Sequence, residues 1–212
     1  MQPRMIGITG PSASGKSILA QAVRAAQSDA VIVQQDWYFR SAAECPEDAN
    51  FCELRWMHVD ELVRDVAMLA SGVQVHVPVM DFSTFERVGT TLLDPKSLVI
   101  LEGMTILRIP EVDEHLDARF YVDIDMPTLA VRKLARDIHE RRKPMEIVEA
   151  QLRWIEAEYL ADEVLRQRGD VSVLSPDTDM AMQVRAILGQ TARTERPQKF
   201  GPNPSDQVAD PG

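Results

Sequence analysis

Eight consecutive residues near the N-terminus carry a pattern that binds phosphate. Gly10–Ser17 reads G-P-S-A-S-G-K-S, which fits G-x-x-x-x-G-K-[ST] at each fixed position, between an apolar segment and a helix-period segment. The glycines permit backbone conformations in which loop N–H groups converge on phosphate oxygens. Lys16 is expected to reach the terminal phosphates of a nucleotide, and the Ser17 hydroxyl to ligate Mg²⁺. The predicted nucleotide-binding residues are Gly10, Ser12, Ala13, Ser14, Gly15, Lys16, Ser17 and Ile18.

Two carboxylates follow apolar segments that resemble strands. Asp36 comes after Ala30–Gln34, where it could accept the proton of an incoming hydroxyl, although aspartate is also common as a helix or turn cap. Glu102 follows Leu98–Leu101, where it could hold Mg²⁺ like a Walker B acid or simply form a polar strand end. Because ligands bind at the carboxyl ends of parallel strands, we expect both acids beside the phosphate loop.

A basic cluster interrupts an acidic chain. The 212 residues carry a net charge of −10, which argues against a nucleic-acid-binding surface. The cluster consists of Arg132, Lys133, Arg136, Arg141, Arg142 and Lys143. Such a run is usually a solvated helix face, but it could also form a lid that neutralises phosphate charge and excludes water. Helical spacing predicts Lys133, Arg136 and Glu140 on one face, and Leu134 and Ile138 on another that packs inward.

The elements that must position these groups alternate between strand and helix. Short apolar segments predict strands at Met5–Ile8, Ala30–Gln34, Leu98–Leu101, Phe120–Ile124 and Val171–Leu174. Helices are predicted at Lys16–Ala26, Asp60–Ala70, Pro127–Arg141 and Met145–Arg168. Gln74–Val79 and Arg87–Thr91 are predicted to pair as a hairpin. This order predicts an α/β fold with a five-stranded parallel sheet flanked by helices, a small β-hairpin and a helical lid.

The domain organisation is expected to be simple. Residues 1–190 are predicted to form a single domain, with the hairpin at about 74–91 and the lid at about 136–150. The polar residues 191–212 are predicted to form a disordered tail. No apolar run approaches the ~18 residues that span a bilayer. We expect no signal peptide, because Met1–Arg4 leads directly into the first predicted strand. Cys45 and Cys52 form no metal or redox pattern, so we expect reduced thiols in a cytoplasmic protein with no membrane partner.

Segments outside the phosphate loop carry further motifs in a recognisable order. Gln35–Tyr38 is similar to Q-D-S-Y-Y, Asn50–Phe51 to the start of N-F-D-H-P-D, Val77–Phe82 to V-P-x-Y-D-F, Val99–Gly103 to I-I-x-E-G, and Arg136–Arg141 to R-D-I-x-E-R. With the phosphate loop, they resemble the uridine kinase and phosphoribulokinase family of P-loop kinases over Met5–Val184, and uridine-cytidine kinases in particular. The resemblance implies the P-loop NTPase fold of nucleoside and nucleotide kinases.

The resemblance also implies an activity and roles for residues. It implies a kinase that uses ATP and Mg²⁺ to phosphorylate a hydroxyl of a nucleoside or ribose-like small molecule. Uridine and cytidine are the leading candidate substrates. The family resemblance also allows for a homo-oligomer. The implied catalytic residues are Asp36 as base, Lys16, Arg136 and Arg141, with Lys143 as a further lid cation. Ser17, Glu102 and Asp36 would hold the metal. The implied acceptor contacts are Asp36, Tyr38, Met80, Phe82, Phe85, Arg87, Lys133 and Gln151.

The chain departs from the family pattern where that pattern reads the nucleoside. Cys52 replaces the first acid of F-D-H-P-D, with Glu53 beside it as a substitute. Met80 and Phe85 replace a tyrosine and a histidine, and the lid sequence E-R-G-R-D becomes Glu140–Pro144. A site with less polar readout discriminates weakly among bases. A different acceptor, such as nicotinamide riboside, a sugar or a pantothenate-like alcohol, is therefore a second prediction.

Two other classes of function compete with a kinase. One is a catalytically silent nucleotide-binding regulatory module, which the altered nucleoside region favours and the retention of Asp36, Glu102 and the basic cluster opposes. The other is a P-loop protein that acts on nucleic acid, which the acidic composition and the lack of a basic-aromatic stripe oppose. Turnover that depends on an acceptor alcohol would distinguish the kinase from both.

Overall fold

A five-stranded parallel sheet forms the centre of the molecule, in a computed structural model that describes residues 2–46, 48–175 and 177–193. The strand order is β2-β5-β1-β6-β7, and β3 and β4 form a separate antiparallel hairpin. The strands are β1 (Arg4–Thr9), β2 (Ala30–Gln34), β3 (Val75–Asp81), β4 (Glu86–Leu93), β5 (Leu98–Glu102), β6 (Ala118–Val122) and β7 (Val171–Leu174).

Helices connect the strands and cover both faces of the sheet. They are α1 (Lys16–Ala26), α2 (Val59–Ala70), α3 (Pro110–Asp113), α4 (Met126–Leu134), α5 (Met145–Ala161), α6 (Glu163–Arg166) and α7 (Met180–Arg193). A π-helical segment, Ala135–Glu140, continues α4, and 3₁₀ turns lie at Gln35–Tyr38, Ala42–Glu44, Leu54–Trp56 and Ile106–Arg108. No helix in the described ranges is long and apolar enough to cross a membrane.

Alternation along the strands builds a core on each face of the sheet. In β1, Met5 packs with α2 and the hairpin, whereas Ile6 and Ile8 pack with α1 and α7. Strand β5 is buried along its whole length, as expected for a central parallel strand covered on both sides. This burial fixes the register Ile8↔Glu102 between β1 and β5 and Gln34↔Glu102 between β2 and β5. The loops after β1, β2 and β5 therefore leave the sheet at the same edge.

The five predicted strands, the hairpin and the first two predicted helices are all present, which confirms the predicted fold class. The predicted helix Pro127–Arg141 changes to π geometry at Ala135, and the predicted helix Met145–Arg168 is split at Asp162 into α5 and α6. Helix α7 was not predicted. It extends three residues into the segment predicted to be disordered, and residues 194–212 of that segment lie outside the described residues.

Candidate active site

The phosphate loop joins β1 to α1 in a strained backbone conformation. Gly10 and Gly15 have φ of 145° and 101°, and Ala13 lies in the left-handed region at 69°. A Cβ atom on Gly10 would lie 2.6 Å from the carbonyl oxygen of Val122, so this glycine also permits close packing against β6. No side chain caps the N-terminus of α1. Its first N–H groups are therefore available to an anion, and the helix dipole favours one there.

Two residues of the loop motif face β5. The Ser17 hydroxyl donates a hydrogen bond to Glu102 Oε1 at 3.1 Å, and Lys16 Nζ donates to the carbonyl oxygen of Pro11 at 3.4 Å. Lys16 and Glu102 are both buried. Ser14 is buried with an Oγ that has no partner, whereas Ile18 is two-thirds exposed beside the loop. The sequence-predicted loop residues and the acid of β5 are thus brought together.

Asp36 lies in the 3₁₀ turn that follows β2, and its neighbour Gln35 anchors that turn. Gln35 is buried; its Nε2 donates to Thr105 Oγ1 at 2.8 Å, and its Oε1 accepts from the Thr105 backbone N–H at 2.9 Å. Gly103 makes this possible, since a Cβ atom there would lie 2.2 Å from Gln35 Oε1. The turns after β2 and β5 are thereby tied together, which holds Asp36 on the same side as Glu102.

The electrostatics link Asp36, Glu102 and Lys16. Desolvation by the surrounding protein raises the pKa of Asp36, against the opposing influence of Lys16, Arg141 and Arg136. Asp36 is nevertheless exposed to solvent, so it does not belong to the packed interior. Burial also raises the pKa of Glu102; Lys16 lowers it, and the nearby charge of Asp36 raises it further. Two acids and one lysine therefore share one site, as expected where charged groups act on a common ligand.

The lid is organised by a residue that the sequence interpretation did not select. Asp137 is fully buried within the π-helical segment and contacts four cations: Lys133 at 2.6 Å, Arg136 at 2.8 Å, Lys143 at 3.5 Å and Arg141 at 3.7 Å. Desolvation would raise its pKa, but the hydrogen bonds from Arg136 and Lys133 outweigh it, and the pKa lies well below its usual range. The i, i+4 spacing of Lys133 and Asp137 was the available signal.

The predicted inward face of the lid is wrong. Lys133 and Asp137 are buried, whereas Leu134 and Ile138 are only partly buried and Glu140 is exposed. The wider π turn and the ion pairs together override the apolar spacing, because burying Lys133 requires a paired carboxylate.

Lid arginines also contact the phosphate loop. Arg136 donates to Ser12 Oγ at 3.3 Å, and Arg132 lies 3.5 Å from the carbonyl oxygen of Ser14. Both guanidinium groups are thus already at the loop, and a nucleotide bound there would lie beside them. Arg141 is about half-exposed.

Three predicted acceptor contacts form a separate cluster at the turn that joins β3 to β4. Phe85, which has a left-handed φ of 58°, packs against Phe39 and Trp56 with ring centroids 5.8 and 5.9 Å apart. Phe82 lies 6.5 Å from Phe85 and is half-exposed. The third, Arg87, forms a 3.0 Å ion pair with Glu61 and donates to the carbonyl oxygen of Phe39 at 3.2 Å.

Two further predicted acceptor contacts are corrected by the structure. Tyr38 is fully buried and donates its hydroxyl to Asp65 Oδ2 at 3.0 Å, so burial and Asp65 raise its pKa. Met80 is buried in the core formed by β3, α2 and β5. Both side chains stabilise the interior instead of facing an acceptor.

Neither Cys52 nor Glu53 offers a free carboxylate at the position of the missing acid. Cys52 is buried in a small apolar cluster with Ile124 and Ile155, and burial raises its pKa to about 12. Glu53 is paired with Arg55 at 2.7 Å and accepts a hydrogen bond from the Asn50 side chain at 2.8 Å. Glu53 therefore serves to close this loop.

The last two predicted acceptor residues meet on the lid side. Lys133 Nζ donates to Gln151 Oε1 at 2.9 Å and lies 5.7 Å from the centre of the Phe51 ring. Phe51 in turn packs edge-on against Trp154 of α5, with centroids 5.9 Å apart. The sequence analysis did not predict that Phe51 and Trp154 lie beside these two residues. The N-F motif at Asn50–Phe51 was the available signal.

The donor set fits a magnesium ion. Mg²⁺ binds hard oxygens and usually takes only one or two from the protein, with phosphate oxygens and water completing its shell. Ser17 Oγ and Glu102 Oε1 are adjacent hard oxygens at the loop, and Asp36 shares their electrostatic environment. The described residues contain no group of three or more ligands that would hold a metal without a substrate.

Comparison with known proteins identifies relatives of this chain. A sequence model of the Phosphoribulokinase / Uridine kinase family matches residues 5–162. A uridine kinase of Clostridium perfringens is 36% identical over 154 residues, which cover 69% of this chain and 74% of that protein. A uridine kinase of Bacillus cereus is 30% identical over 154 residues, covering 69% and 73%.

Solved structures with low sequence identity share the fold. A putative fructose transport system kinase from Silicibacter sp. TM1040 superposes with a TM-score of 0.69 at 18% identity, over 81% of this chain and 89% of that one. A possible uridine kinase from Bacillus stearothermophilus gives 0.57 at 17% identity, over 81% and 89%.

Proposed function

The chain belongs to the phosphoribulokinase/uridine kinase family of phosphotransferases, and from this premise we propose that it transfers the γ-phosphate of ATP to a hydroxyl of a nucleoside or ribose-like small molecule. Uridine and cytidine are the first candidates, because the relatives named above as uridine kinases share 30–36% of their residues with it over about 154 positions.

The observation that carries the proposal is the convergence of Lys16, Ser17, Asp36 and Glu102 at one edge of the sheet. These residues come from three separate segments, and hydrogen bonds and shared electrostatics join them. A site that only bound a nucleotide would need the loop and its lysine. An open carboxylate opposite the loop is the additional group that an acceptor alcohol requires.

We assign Asp36 the role of general base. Asp36 is exposed to solvent and within the electrostatic range of Lys16, Arg136 and Arg141, so an acceptor hydroxyl bound there would face the terminal phosphate. A raised pKa makes the carboxylate a stronger proton acceptor than an ordinary aspartate. Lys16 and the lid arginines would stabilise charge on the transferring phosphoryl group.

Ser17 and Glu102 would hold Mg²⁺, with Asp36 nearby. When bound, the ion would neutralise charge on the β- and γ-phosphates. The protein itself supplies the Ser17–Glu102 hydrogen bond, which fixes both oxygens before ligands arrive.

The acceptor itself has a second candidate. The chain has no free carboxylate at Cys52 or Glu53, and the fold neighbour from Silicibacter is named a putative fructose transport system kinase. We therefore keep a sugar or another ribose-like alcohol as the alternative to a pyrimidine nucleoside.

Acceptor-dependent ADP release tests the proposal. Wild-type protein, MgATP and a panel of ribosides and sugars should give turnover with at least one acceptor. Asp36→Asn should lose about 10²–10⁴ in kcat while ATP binding is retained. Binding of ATP with no turnover on any acceptor, and the same binding in Asp36→Asn, would support a regulatory module instead.

A further inference from the structure

His58 lies where the loop between β2 and α2, helix α2 and the hairpin meet. It directly precedes α2, and its backbone N–H donates to the carbonyl oxygen of Tyr38. Its side chain makes no capping hydrogen bond with the helix. The imidazole lies between two carboxylates instead, with Nε2 3.5 Å from Glu44 Oε2 and Nδ1 3.9 Å from Glu61 Oε1. It therefore separates an acid of the 3₁₀ turn Ala42–Glu44 from an acid of α2.

The hairpin is attached at the same place through Arg87 of β4. Its guanidinium group pairs with Glu61 at 3.0 Å and donates to the carbonyl oxygen of Phe39 at 3.2 Å. Its backbone N–H donates to Ser41 Oγ at 3.3 Å. We call Glu44, His58, Glu61 and Arg87 the junction, because these four side chains connect the turn, the helix and the hairpin.

The junction lacks one positive charge when His58 is neutral. In the ranges that the structure describes, the charged groups that ion pairs place around His58 are Glu44, Glu61 and Arg87. Two carboxylates and one guanidinium group sum to one negative charge. A proton on the imidazole brings the sum to zero and places the new charge directly between the two acids.

The hydrogen bonds of the junction are also incomplete. His58 Nε2 and Arg87 Nη2 are buried and have no hydrogen-bond partner among the described residues. Nε2 is near enough to Glu44 for an ion pair, but the contact lacks the geometry of a hydrogen bond. A buried polar group without a partner costs free energy. Protonation makes both ring nitrogens donors, and a small movement of the turn toward His58 would complete the bond to Glu44.

Glu44 stays ionised in the range where a histidine titrates. The backbone N–H of Ser41 donates to Glu44 Oε2 at 3.1 Å and holds the pKa of this carboxyl below its ordinary value, and His58 acts in the same direction. An imidazole in a protein changes its charge between about pH 5 and 8. A proton that reaches His58 in this range therefore meets a carboxylate that is already charged.

We propose that His58 is a pH-sensitive switch: when protonated it pairs with Glu44 and Glu61 and fastens the turn Ala42–Glu44 to α2 and the hairpin, and when neutral it releases the turn. The protonated form is stabilised in the folded protein. Its contribution to stability is therefore present below the range in which a free imidazole titrates, and it is lost as the pH rises through that range.

The switch has a consequence for the reaction, and this consequence rests on the proposed kinase function. The predicted acceptor contacts Phe82, Phe85 and Arg87 lie at the end of the hairpin that the junction holds. Fastening the turn to the hairpin keeps these side chains in place. We expect the KM for the acceptor to be about threefold lower near pH 6 than near pH 8, since an affinity changes only by as much as the two states differ.

Thermal unfolding of the full chain near pH 6 and near pH 8 tests the switch without a substrate. His58→Asn removes the titrating group and keeps a polar side chain that can cap α2. The melting temperature of the wild type relative to this variant should be higher near pH 6 than near pH 8 by at least about 2 °C. Glu44→Gln should reduce this pH-dependent difference, because the half-exposed glutamate is one of the two partners.

His76→Asn is the matched control. His76 is an exposed histidine of the hairpin and forms no ion pair in the described part of the chain, so its loss should leave the pH dependence unchanged. Equal pH dependence in wild type and His58→Asn would refute the switch, as would an equal change in His76→Asn. A pH-dependent melting temperature with a constant acceptor KM would refute the link to the acceptor. A working switch in a protein that phosphorylates no acceptor would refute the kinase function and leave the switch standing.

Discussion

The phosphate side and the acceptor side of this molecule are built in different ways. On the phosphate side, residues from β1, β2 and β5 meet because the register of a buried parallel sheet brings the strand ends together. On the proposed acceptor side, the residues come from loops, the hairpin turn and the lid, and ion pairs hold them: Arg87 with Glu61, Arg55 with Glu53, and four cations with Asp137.

This difference predicts how substitutions on the two sides should act. Backbone geometry fixes the phosphate side, so a change there should remove activity on all acceptors. Side-chain pairing fixes the proposed acceptor side, where Glu53 pairs with Arg55 and Cys52 is buried beside them. If substitutions on the two sides changed activity in the same way for every acceptor, the two sides would not be distinct.

The largest effect is expected from Lys16→Met. The lysine is buried at the loop and lowers the pKa of both Asp36 and Glu102, so its loss removes a phosphate contact and the counter-charge of two acids. We expect kcat/KM to fall about 10³-fold for any acceptor, as when a preorganised electrostatic contact is removed. Steady-state kinetics on two unlike acceptors measures this. A loss confined to one acceptor would contradict the comparison.

The next largest effect concerns the free energy of unfolding and compares alanine substitutions at two glycines with positive φ. In Gly10→Ala the new Cβ would lie 2.6 Å from the carbonyl oxygen of Val122, so we expect a loss of about 2–3 kcal/mol in the free energy of unfolding. Gly89 of the hairpin has a φ of 157° and no heavy atom within 4 Å of an added Cβ. Gly89→Ala should therefore cost only the backbone strain, about 1 kcal/mol. Urea denaturation of both variants makes the comparison, and equal losses would refute it.

A smaller effect tests whether Tyr38 belongs to the core. Tyr38→Phe removes the hydrogen bond to Asp65, which keeps its 2.9 Å pair with Arg64. The free energy of unfolding should therefore fall by about 1 kcal/mol. The KM for the acceptor should stay within about twofold of the wild-type value. A raised acceptor KM at unchanged stability would return Tyr38 to the acceptor site.

The residues that sheet topology positions could be predicted from the sequence, whereas those positioned by side-chain packing could not. The loop motif, the strand ends and the positions of Asp36 and Glu102 follow from local pattern and sheet topology, and all are found at one edge. Tyr38 and Met80 could not be separated from acceptor contacts, because a motif match does not show which way a side chain points. Their burial depends on α2 and the hairpin, which are distant in sequence.

The lid was harder to predict for a different physical reason. Apolar periodicity assumes a regular α-helix, whereas the segment from Ala135 widens to a π turn around Asp137. The ion pairs of Asp137 then determine which face is buried. Helix α7 was not predicted because most of its residues are polar or small. Its two core residues, Val184 and Ile187, are too few to give a clear helical pattern of apolar residues.

The smallest effect concerns the pH dependence of the reaction. It tests whether Arg141 of the lid influences the pKa of Asp36. Burial raises the pKa of Asp36, so the base is ionised above this raised value and loses activity as the pH falls through it. The acid limb of kcat should therefore lie above the range of an ordinary aspartate. Arg141 of the lid lowers the pKa of Asp36, and Arg141→Met should move the limb to higher pH. The shift should be smaller than that in Lys16→Met, because Arg141 is half-exposed and screened by solvent. Arg142→Met, one residue further along, is the control and should leave the limb in place. If Arg141→Met moves the limb no more than this control does, the lid and the base are not electrostatically coupled, and the two sides of the site act independently.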